Sequence, residues 1–177
     1  MNPQFTNEPI DLDQLPTYET VALVKPHPNY WKVIVINISI FLFVIGACLT
    51  TLIIFEPEVR ANKYPIIAGY LLLALLLFII YRASFKKRGF ALRDKDVIYK
   101  SGIIAETTTV VPLNRIQHVA LDEGIFSRIF KLGKLQIYTA GGQSGHLMIA
   151  GIEIEKAKRM KELLLGKLNQ LDPLTED

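Results

Sequence analysis

Two long apolar runs shape the first half of the chain. Residues 33–55 carry no charged side chain, and a helix rising about 1.5 Å per residue over that length crosses a hydrocarbon core of roughly 30 Å. Residues 64–81 form a second uncharged run, near the lower limit for a span. Because backbone groups in lipid must bond within the chain, the pattern predicts two antiparallel transmembrane helices joined by an extracytoplasmic loop at 56–63.

After residue 88 the apolar positions change from helical to strand spacing. Short alternating or β-branched runs, separated by Gly, Pro or acidic residues, predict antiparallel strands. Apolar residues then recur every three or four positions from Ile154 to Leu171, which predicts an amphipathic helix. The predicted fold is a membrane helical hairpin followed by an α+β, mainly β body of six to seven strands, capped by this C-terminal helix. The strand segments are 90–92, 97–99, 103–111, 116–121, 135–140 and 147–150.

Composition supports a membrane protein without a catalytic, cofactor or metal site. Half of the residues are apolar, 21% are charged and the mean hydropathy is +0.29, whereas soluble domains are usually more polar. The single cysteine, Cys48, excludes an internal disulfide, and His27, His118 and His146 show no metal-ligand spacing. No nucleophile converges with an acid or base, so the sequence predicts a protein that is not an enzyme and uses no cofactor or metal.

Basic residues are concentrated on one side of the predicted hairpin. Seven Lys or Arg residues flank the spans on the side of the termini against two in the loop, which predicts that both termini are cytoplasmic. The net charge is −2 over 1–32 and +5 over 82–177, too mild for a nucleic-acid-binding protein. The predicted organisation is an acidic cytoplasmic segment at 1–32, the hairpin, a cytoplasmic domain at 82–171 and a tail at 172–177.

Small and polar positions in the first span suggest two roles. Residues 45–48 match a bacterial lipoprotein cleavage box, but the box lies in the middle of the run. We therefore interpret Cys48 as a small packing residue rather than a lipid attachment site. Asn37 and Ser39 are predicted to hydrogen-bond across to the second helix. Neither run contains an ionisable residue, which argues against a transporter or a channel.

Four stretches of the body, placed after two spans, resemble a known family. Residues 100–104, 111–119, 124–133 and 135–142 are similar to the bacterial pleckstrin-homology (PH)-like membrane proteins of the YdbS-like type. The resemblance implies a PH-like barrel of two roughly orthogonal sheets, a place in the bacterial inner membrane and no catalytic residues. It also implies a partner, either another membrane protein that carries PH-like domains or a second copy of the chain.

Three basic residues, Lys86, Lys87 and Arg88, directly follow the second span. They would attract the anionic lipids of the membrane, but a triplet is smaller than the clusters that signal lipid specificity. Their main predicted role is therefore orientation. In PH domains lipid sites gather basic residues in the first strand–strand loop, which here is the net negative 94–96, so phosphoinositide binding is not favoured.

A compact apolar segment between two predicted strands is the leading candidate for partner contact. Two or three of its apolar side chains are expected to close the core, and any that are exposed would dock a protein or lie on the bilayer surface. The predicted partner-binding residues are Ile125, Phe126, Arg128, Ile129 and Phe130.

Two further motifs favour structural roles. The loop 141–145 lacks the Lys-Ser/Thr ending of a phosphate-binding loop and precedes a strand, so it is interpreted as a hairpin loop. Arg115, His118 and Asp122 suggest acid–base chemistry, but alternation places His118 and Arg115 on opposite faces unless a bulge intervenes. We expect these three side chains to make structural hydrogen bonds.

The sequence thus predicts a non-enzymatic, membrane-anchored PH-like module that acts as a protein-interaction or assembly scaffold at the cytoplasmic face of the inner membrane. Confinement to the membrane would raise the effective concentration of a partner and set its orientation. The alternative is a sensor of envelope state that binds a lipid or small ligand in the open end of the barrel. Residues 1–24 form an acidic tail predicted to lie extended against the positive body.

Overall fold

The computed structural model describes residues 20–103, 105–140 and 146–171. Two long helices come first: α1 spans Asn29–Phe55 and α3 spans Lys63–Lys87, with the short helix α2, Pro57–Ala61, between them. Both long helices are long and apolar enough to cross a membrane. Only 11% of the most apolar stretch of α1 and 0% of that of α3 is buried, whereas the core helix of a soluble protein is mostly buried. The two predicted helices are confirmed, each longer than its uncharged run because the aromatic and basic flanks continue it.

The two long helices pack along one seam. Ile34, Ile38 and Leu42 are buried at four-residue spacing on α1 and face α3. The Tyr70 hydroxyl of α3 donates a hydrogen bond of 3.1 Å to the carbonyl oxygen of Leu42. Gly46, one turn further along, leaves room for the same ring, because a Cβ there would lie 3.1 Å from the Tyr70 hydroxyl. The seam therefore combines apolar packing with one hydrogen bond between the helices.

Two predictions for polar or small residues of α1 are wrong. The Asn37 side chain donates a 2.9 Å hydrogen bond to the carbonyl oxygen of Val33 in its own helix, and not across to α3. Cys48 is exposed on the helix surface, so it is not a packing residue within this chain. The exposure of Cys48 and the hydrogen bond of Asn37 within its own helix are not evident from the uniformly apolar sequence of the span.

Six strands follow within the described residues: β1 (Gly89–Leu92), β2 (Asp96–Ser101), β3 (Thr107–Pro112), β4 (Ile116–Asp122), β5 (Leu132–Thr139) and β6 (His146–Glu153). They form two antiparallel sheets, ordered β1-β2-β3 and β4-β5-β6. No ladder joins β3 to β4, because the chain turns between them through Pro112 and the 3-10 turn Leu113–Arg115. The prediction of a six-to-seven-stranded barrel is corrected to six strands in two sheets that do not close.

The core lies between the two sheets and the C-terminal helix α5, Ile154–Leu171. Alternating residues of β5, such as Leu135 and Ile137, are fully buried, and their neighbours in sequence face outward. On α5, Ala157 and Leu164 are fully buried against the sheets. The predicted amphipathic cap is confirmed, because the apolar face of α5 packs on the core between the two sheets.

The segment before α1 belongs to the body as well as to the membrane hairpin. Val24 exchanges backbone hydrogen bonds with Phe90 of β1, at 2.7 and 3.0 Å. The His27 N–H donates a 2.8 Å hydrogen bond to the carbonyl oxygen of Gly151 in β6. This segment therefore links both sheets just before the first membrane helix begins. The predictions for residues 1–19, 141–145 and 172–177 lie outside the described residues.

Candidate functional site

Helix α4, Ile125–Ile129, carries most of the predicted partner-binding residues, and none of them is part of the buried core. Ile125 is 80% exposed and Ile129 is 69% exposed, one helical turn apart on the same face. Phe126 and Phe130 are partly buried and Arg128 is exposed. The expectation that two or three of these apolar side chains close the core is wrong, because the strands and α5 already fill it.

Helix α4 lies next to the start of the first membrane helix, so its exposed side chains are close to the membrane. The ammonium of Lys32, in the first turns of α1, lies 5.8 Å from the centre of the Phe130 ring. Helix α4 contacts α1. Its exposed pair of isoleucines therefore lies at the end of the hairpin where the chain enters the membrane. We call Ile125, Phe126, Arg128, Ile129 and Phe130 the α4 patch.

A cavity of about 420 Å³ lies between α4 and the second sheet. Its wall includes Asp122, Glu123, Ser127 and Lys134. Within it Lys134 and Asp122 form an ion pair of 3.3 Å, and both side chains are about 40% exposed. The cavity wall thus carries charged groups of both signs among apolar and glycine positions, unlike the exposed isoleucines of α4.

The basic residues after the second span have three different environments. Lys86 is exposed. The Lys87 ammonium turns towards the first sheet, where it donates a 2.9 Å hydrogen bond to the carbonyl oxygen of Ile103 and lies 3.0 Å from the Glu106 carboxylate. The Nε atom of Arg88 is buried and has no hydrogen-bond partner among the described residues. The triplet therefore does not act as one exposed patch.

Glu106 forms ion pairs with two neighbouring lysines. Lys100 lies 2.7 Å and Lys87 3.0 Å from its carboxylate oxygens. Hydrogen bonds from Lys100 and then Lys87, with their charges, lower the pKa of Glu106 from 4.5 to about 2. Nearby, burial raises the pKa of Tyr99 in spite of the opposing charge of Arg88. The end of α3 is thus connected electrostatically to the first sheet.

Charged side chains at the first strand–strand loop form ion pairs within this chain. The Arg93 guanidinium forms an ion pair and hydrogen bonds with Asp96, which raise its pKa. The Lys167 ammonium of α5 lies 3.3 Å from the Asp94 carboxylate and donates to the Asp94 carbonyl oxygen. Of the two basic residues in this loop, Arg93 is thus paired with Asp96, whereas Lys95 is exposed.

The structure does not assemble Arg115, His118 and Asp122 into a site. Arg115 lies in the 3-10 turn, and a bulge after Ile116 interrupts β4 before His118. The His118 ring packs 5.7 Å from that of Tyr138, while the Asp122 carboxylate accepts a hydrogen bond from Gln136. In the described part of the chain no three His, Cys, Asp or Glu side chains are close enough to hold a metal ion.

Sequence reasoning missed the polar row on the outer face of the second sheet. His146 stacks on Tyr138 with 4.6 Å between ring centres, and its Nε2 atom lies 2.8 Å from the Gln136 side-chain oxygen. The Tyr138 hydroxyl donates to the same oxygen at 2.9 Å. The alternation of β5 and β6 indicates that these residues share a face, but only the strand register brings them opposite one another.

These features define a class: a membrane protein in which a helical hairpin carries a small two-sheet domain with a C-terminal helix. The profile of the family described as "Bacterial PH domain" matches residues 35–168. The chain belongs to this family, so the resemblance found in the sequence is confirmed. The two long helices are its transmembrane helices, and the two sheets with α5 form its PH-like domain.

Two curated relatives come from Bacillus subtilis (strain 168). The chain is 32% identical to the UPF0699 transmembrane protein YdbT over 99 residues, which cover 54% of this chain and 20% of that protein. It is 27% identical to the UPF0699 transmembrane protein YdbS over 101 residues, which cover 57% of this chain and 59% of that protein. The matches thus span less than two thirds of either relative. Both relatives are named as transmembrane proteins.

A solved structure, the pleckstrin homology (PH) domain of USP37, is similar to this chain at 17% identity. The match covers 47% of this chain and 76% of that domain, with a TM-score of 0.31. At that score the likeness carries no argument of its own, and membership of the bacterial PH domain family rests on the family profile and the relatives.

Proposed function

We propose that this protein is a membrane-anchored scaffold in which the α4 patch binds a partner protein. The observation that supports the proposal is the exposure of Ile125 and Ile129 on a helix that contacts α1. Contiguous apolar patches on a protein surface often mark interaction sites, and Ile125 and Ile129 lie together on one face of α4. The hairpin would hold this surface close to the bilayer, so a partner in the same membrane would meet it at high effective concentration.

The partner that we propose is another membrane protein with a PH-like domain, or a second copy of this chain. The 20% coverage of YdbT supports this choice, because a stretch like this chain occurs there within a much longer membrane protein. We place the protein in the bacterial inner membrane with both termini in the cytoplasm, as the distribution of basic residues predicts. The scaffold role requires no catalytic group.

Photo-crosslinking in intact cells tests the proposal. A photoreactive amino acid placed at Ile129 is expected to yield a discrete adduct with a protein. The control is the same amino acid at Lys156, whose side chain is 71% exposed in the first turn of α5 and pairs with Glu153. A protein adduct from both positions, or only lipid adducts from Ile129, would contradict the proposal.

Substitution of the patch gives the second test. The double variant Ile125→Gln/Ile129→Gln is expected to reduce co-purification of the crosslinked partner by about tenfold, equivalent to about 1.4 kcal/mol. Since both side chains are exposed, stability should change by no more than about 0.5 kcal/mol per site. Met148→Gln, at an exposed apolar position on the outer face of β6, is the matched control and should leave the recovery of the partner unchanged.

A further inference from the structure

A cleft of about 500 Å³ opens between α1 and α3 at the end of the hairpin nearest the PH-like domain. This volume falls within the range of small-molecule sites. At the domain end the wall is polar and aromatic, formed by Tyr30, Tyr81 and Arg88. Further into the span the wall is mostly apolar, with Ile38 and Phe41 of α1 beside the single amide of Asn37.

Arg88 distinguishes the cleft from an ordinary gap between helices. Its Nε atom is buried without an acceptor, and within the described residues Arg88 has no ion pair. Two carboxylates of the neighbouring first sheet and its connections are already paired, Glu106 with Lys87 and Asp96 with Arg93. A buried charged donor without an acceptor is costly, so an acceptor from outside the chain would stabilise it. Among the described residues that line the cleft none is acidic, which leaves its charge positive.

The length of the cleft indicates what kind of anion fits. From Tyr30 to Phe41 the helix rises about 16 Å, which is roughly half of the hydrocarbon core and therefore one leaflet. A ligand with a phosphate at one end and an alkyl chain at the other would match both ends of the wall. A free anion would leave the apolar part empty.

We propose that this cleft binds an anionic phospholipid from the leaflet on the side of the PH-like domain, with the phosphate on Arg88 and one acyl chain along α1 and α3. The Arg88 guanidinium offers paired N–H donors that suit phosphate oxygens. Tyr30 and Tyr81 line the domain end of the cleft, and tyrosine is a residue type enriched at membrane interfaces. The site is separate from the α4 patch and goes beyond the scaffold role.

The test measures how phospholipids protect the full-length protein against thermal unfolding in a mild, uncharged detergent. Phosphatidylglycerol added to the micelles is expected to raise the melting temperature in a saturable way, and phosphatidylcholine to have a much smaller effect. Arg88→Gln should weaken the apparent affinity for phosphatidylglycerol roughly tenfold. Arg88→Lys, which keeps the charge but lacks the fork of donors, should show an intermediate loss.

Lys86→Gln is the matched control, since it removes the same charge two residues away from an exposed side chain. It should change the affinity by less than about twofold. An equal loss in Lys86→Gln and Arg88→Gln would overturn the proposal, because it would show general attraction to the surface. If Arg88→Gln fails to fold, an Arg88→Lys variant with wild-type affinity would overturn it.

Two further arms separate the lipid from other occupants. Glycerol 3-phosphate alone should not protect the protein, and protection equal to that of the lipid would overturn the proposal by showing a free-phosphate site. A photoreactive amino acid at Phe41, which lines the cleft and is 55% exposed, should form lipid adducts in native membranes. Protein adducts alone from this position would show that a partner helix fills the cleft, and would overturn the proposal.

Discussion

At the scale of single residues, Gly151 is the point where the membrane hairpin meets the second sheet. It is the extra residue of a bulge opposite Gly133 and Lys134, and its φ of +80° lies in the left-handed region that favours glycine. A Cβ at this position would lie 2.6 Å from the Tyr30 ring in the first turn of α1. The absence of a side chain therefore lets the helix approach the sheet.

Gly151→Ala should destabilise the protein by about 1–3 kcal/mol, because the substitution adds backbone strain and a contact with the Tyr30 ring. The measurement is the unfolding transition of the protein in detergent. Gly166→Ala is the control: that glycine lies in α5 with nothing within 4 Å of the place where a methyl group would lie, and the substitution should be neutral or stabilising by up to about 1 kcal/mol. Equal effects of the two substitutions would show that the contact between α1 and the second sheet does not depend on Gly151.

The candidate site also shows which single residues can be identified from the sequence and which cannot. The apolar character of 125–130 is sufficient to select the α4 patch, but not to tell exposed from buried side chains. A run of isoleucine and phenylalanine has the same pattern in a core turn and in an exposed one. The sequence selects Arg88 only as one of three basic residues, and its buried Nε depends on how α3 meets the sheets.

At the scale of elements, α3 is connected to the first sheet by ion pairs as well as by the chain. Lys87 at the end of α3 and Lys100 on β2 share the Glu106 carboxylate in the β2–β3 connection. Lys87 also bonds to Ile103 in the same connection. These contacts restrain the angle at which the membrane helix leaves the domain.

Glu106→Gln should reduce thermal stability at neutral pH, and the difference from wild type should shrink as pH falls. The folded-state pKa of Glu106 is about 2, below its ordinary value of 4.5. The stabilisation is therefore complete above about pH 4.5 and is lost as the pH falls towards 2. Melting temperatures of both proteins measured from pH 7 to pH 2 in low salt check the prediction, since salt screens exposed pairs.

Glu162→Gln is the control for that series. Glu162 is exposed on α5 and makes no ion pair within the described residues, so its substitution should leave the melting temperature nearly unchanged at neutral pH. A Glu106→Gln protein whose deficit is constant from pH 7 to pH 2 would contradict the role given to the carboxylate charge.

At the scale of the whole molecule, the hairpin and the domain act as one unit with a defined polarity. The segment before α1 bonds to β1 and β6, and the residues after α3 bond to the β2–β3 connection. Both ends of the hairpin are therefore held by the same domain. In the connection on the far side, Arg60 donates to the carbonyl oxygens of Ile53 and Ile54, so one of its two basic residues caps α1.

A topology reporter tests the predicted orientation. Alkaline phosphatase fused after Asp177 should be inactive and a fluorescent protein at the same place should be bright, because both report a cytoplasmic C terminus. Alkaline phosphatase fused after Glu58, in the connection between the spans, is the internal control and should be active. Activity of the C-terminal phosphatase fusion would contradict the orientation and, with it, the proposed cytoplasmic partner.

Much of the architecture is predictable from the sequence because its causes are local. The uncharged length of α1 and α3 reflects the thickness of a bilayer, and the spacing of Ala157 and Leu164 reflects the period of a helix with one buried face. The first hairpin of the body is predictable from the acidic turn between β1 and β2. Closure of the two sheets into a barrel is not predictable from the sequence, because it depends on whether β3 and β4 pair across Pro112.

The amino-acid sequence by itself determined that two helices are suited to lipid, that short strands and an amphipathic helix follow, and that the chain resembles the bacterial PH domain family. Each of these depends on neighbours in sequence, whose periodicity and charge can be counted. Only the tertiary structure decided that Ile125 and Ile129 are exposed, that Tyr30 packs on Gly151 and that Arg88 lines a cleft between the spans. Those features join residues distant along the chain, and contacts of that kind follow from how elements pack rather than from any local pattern.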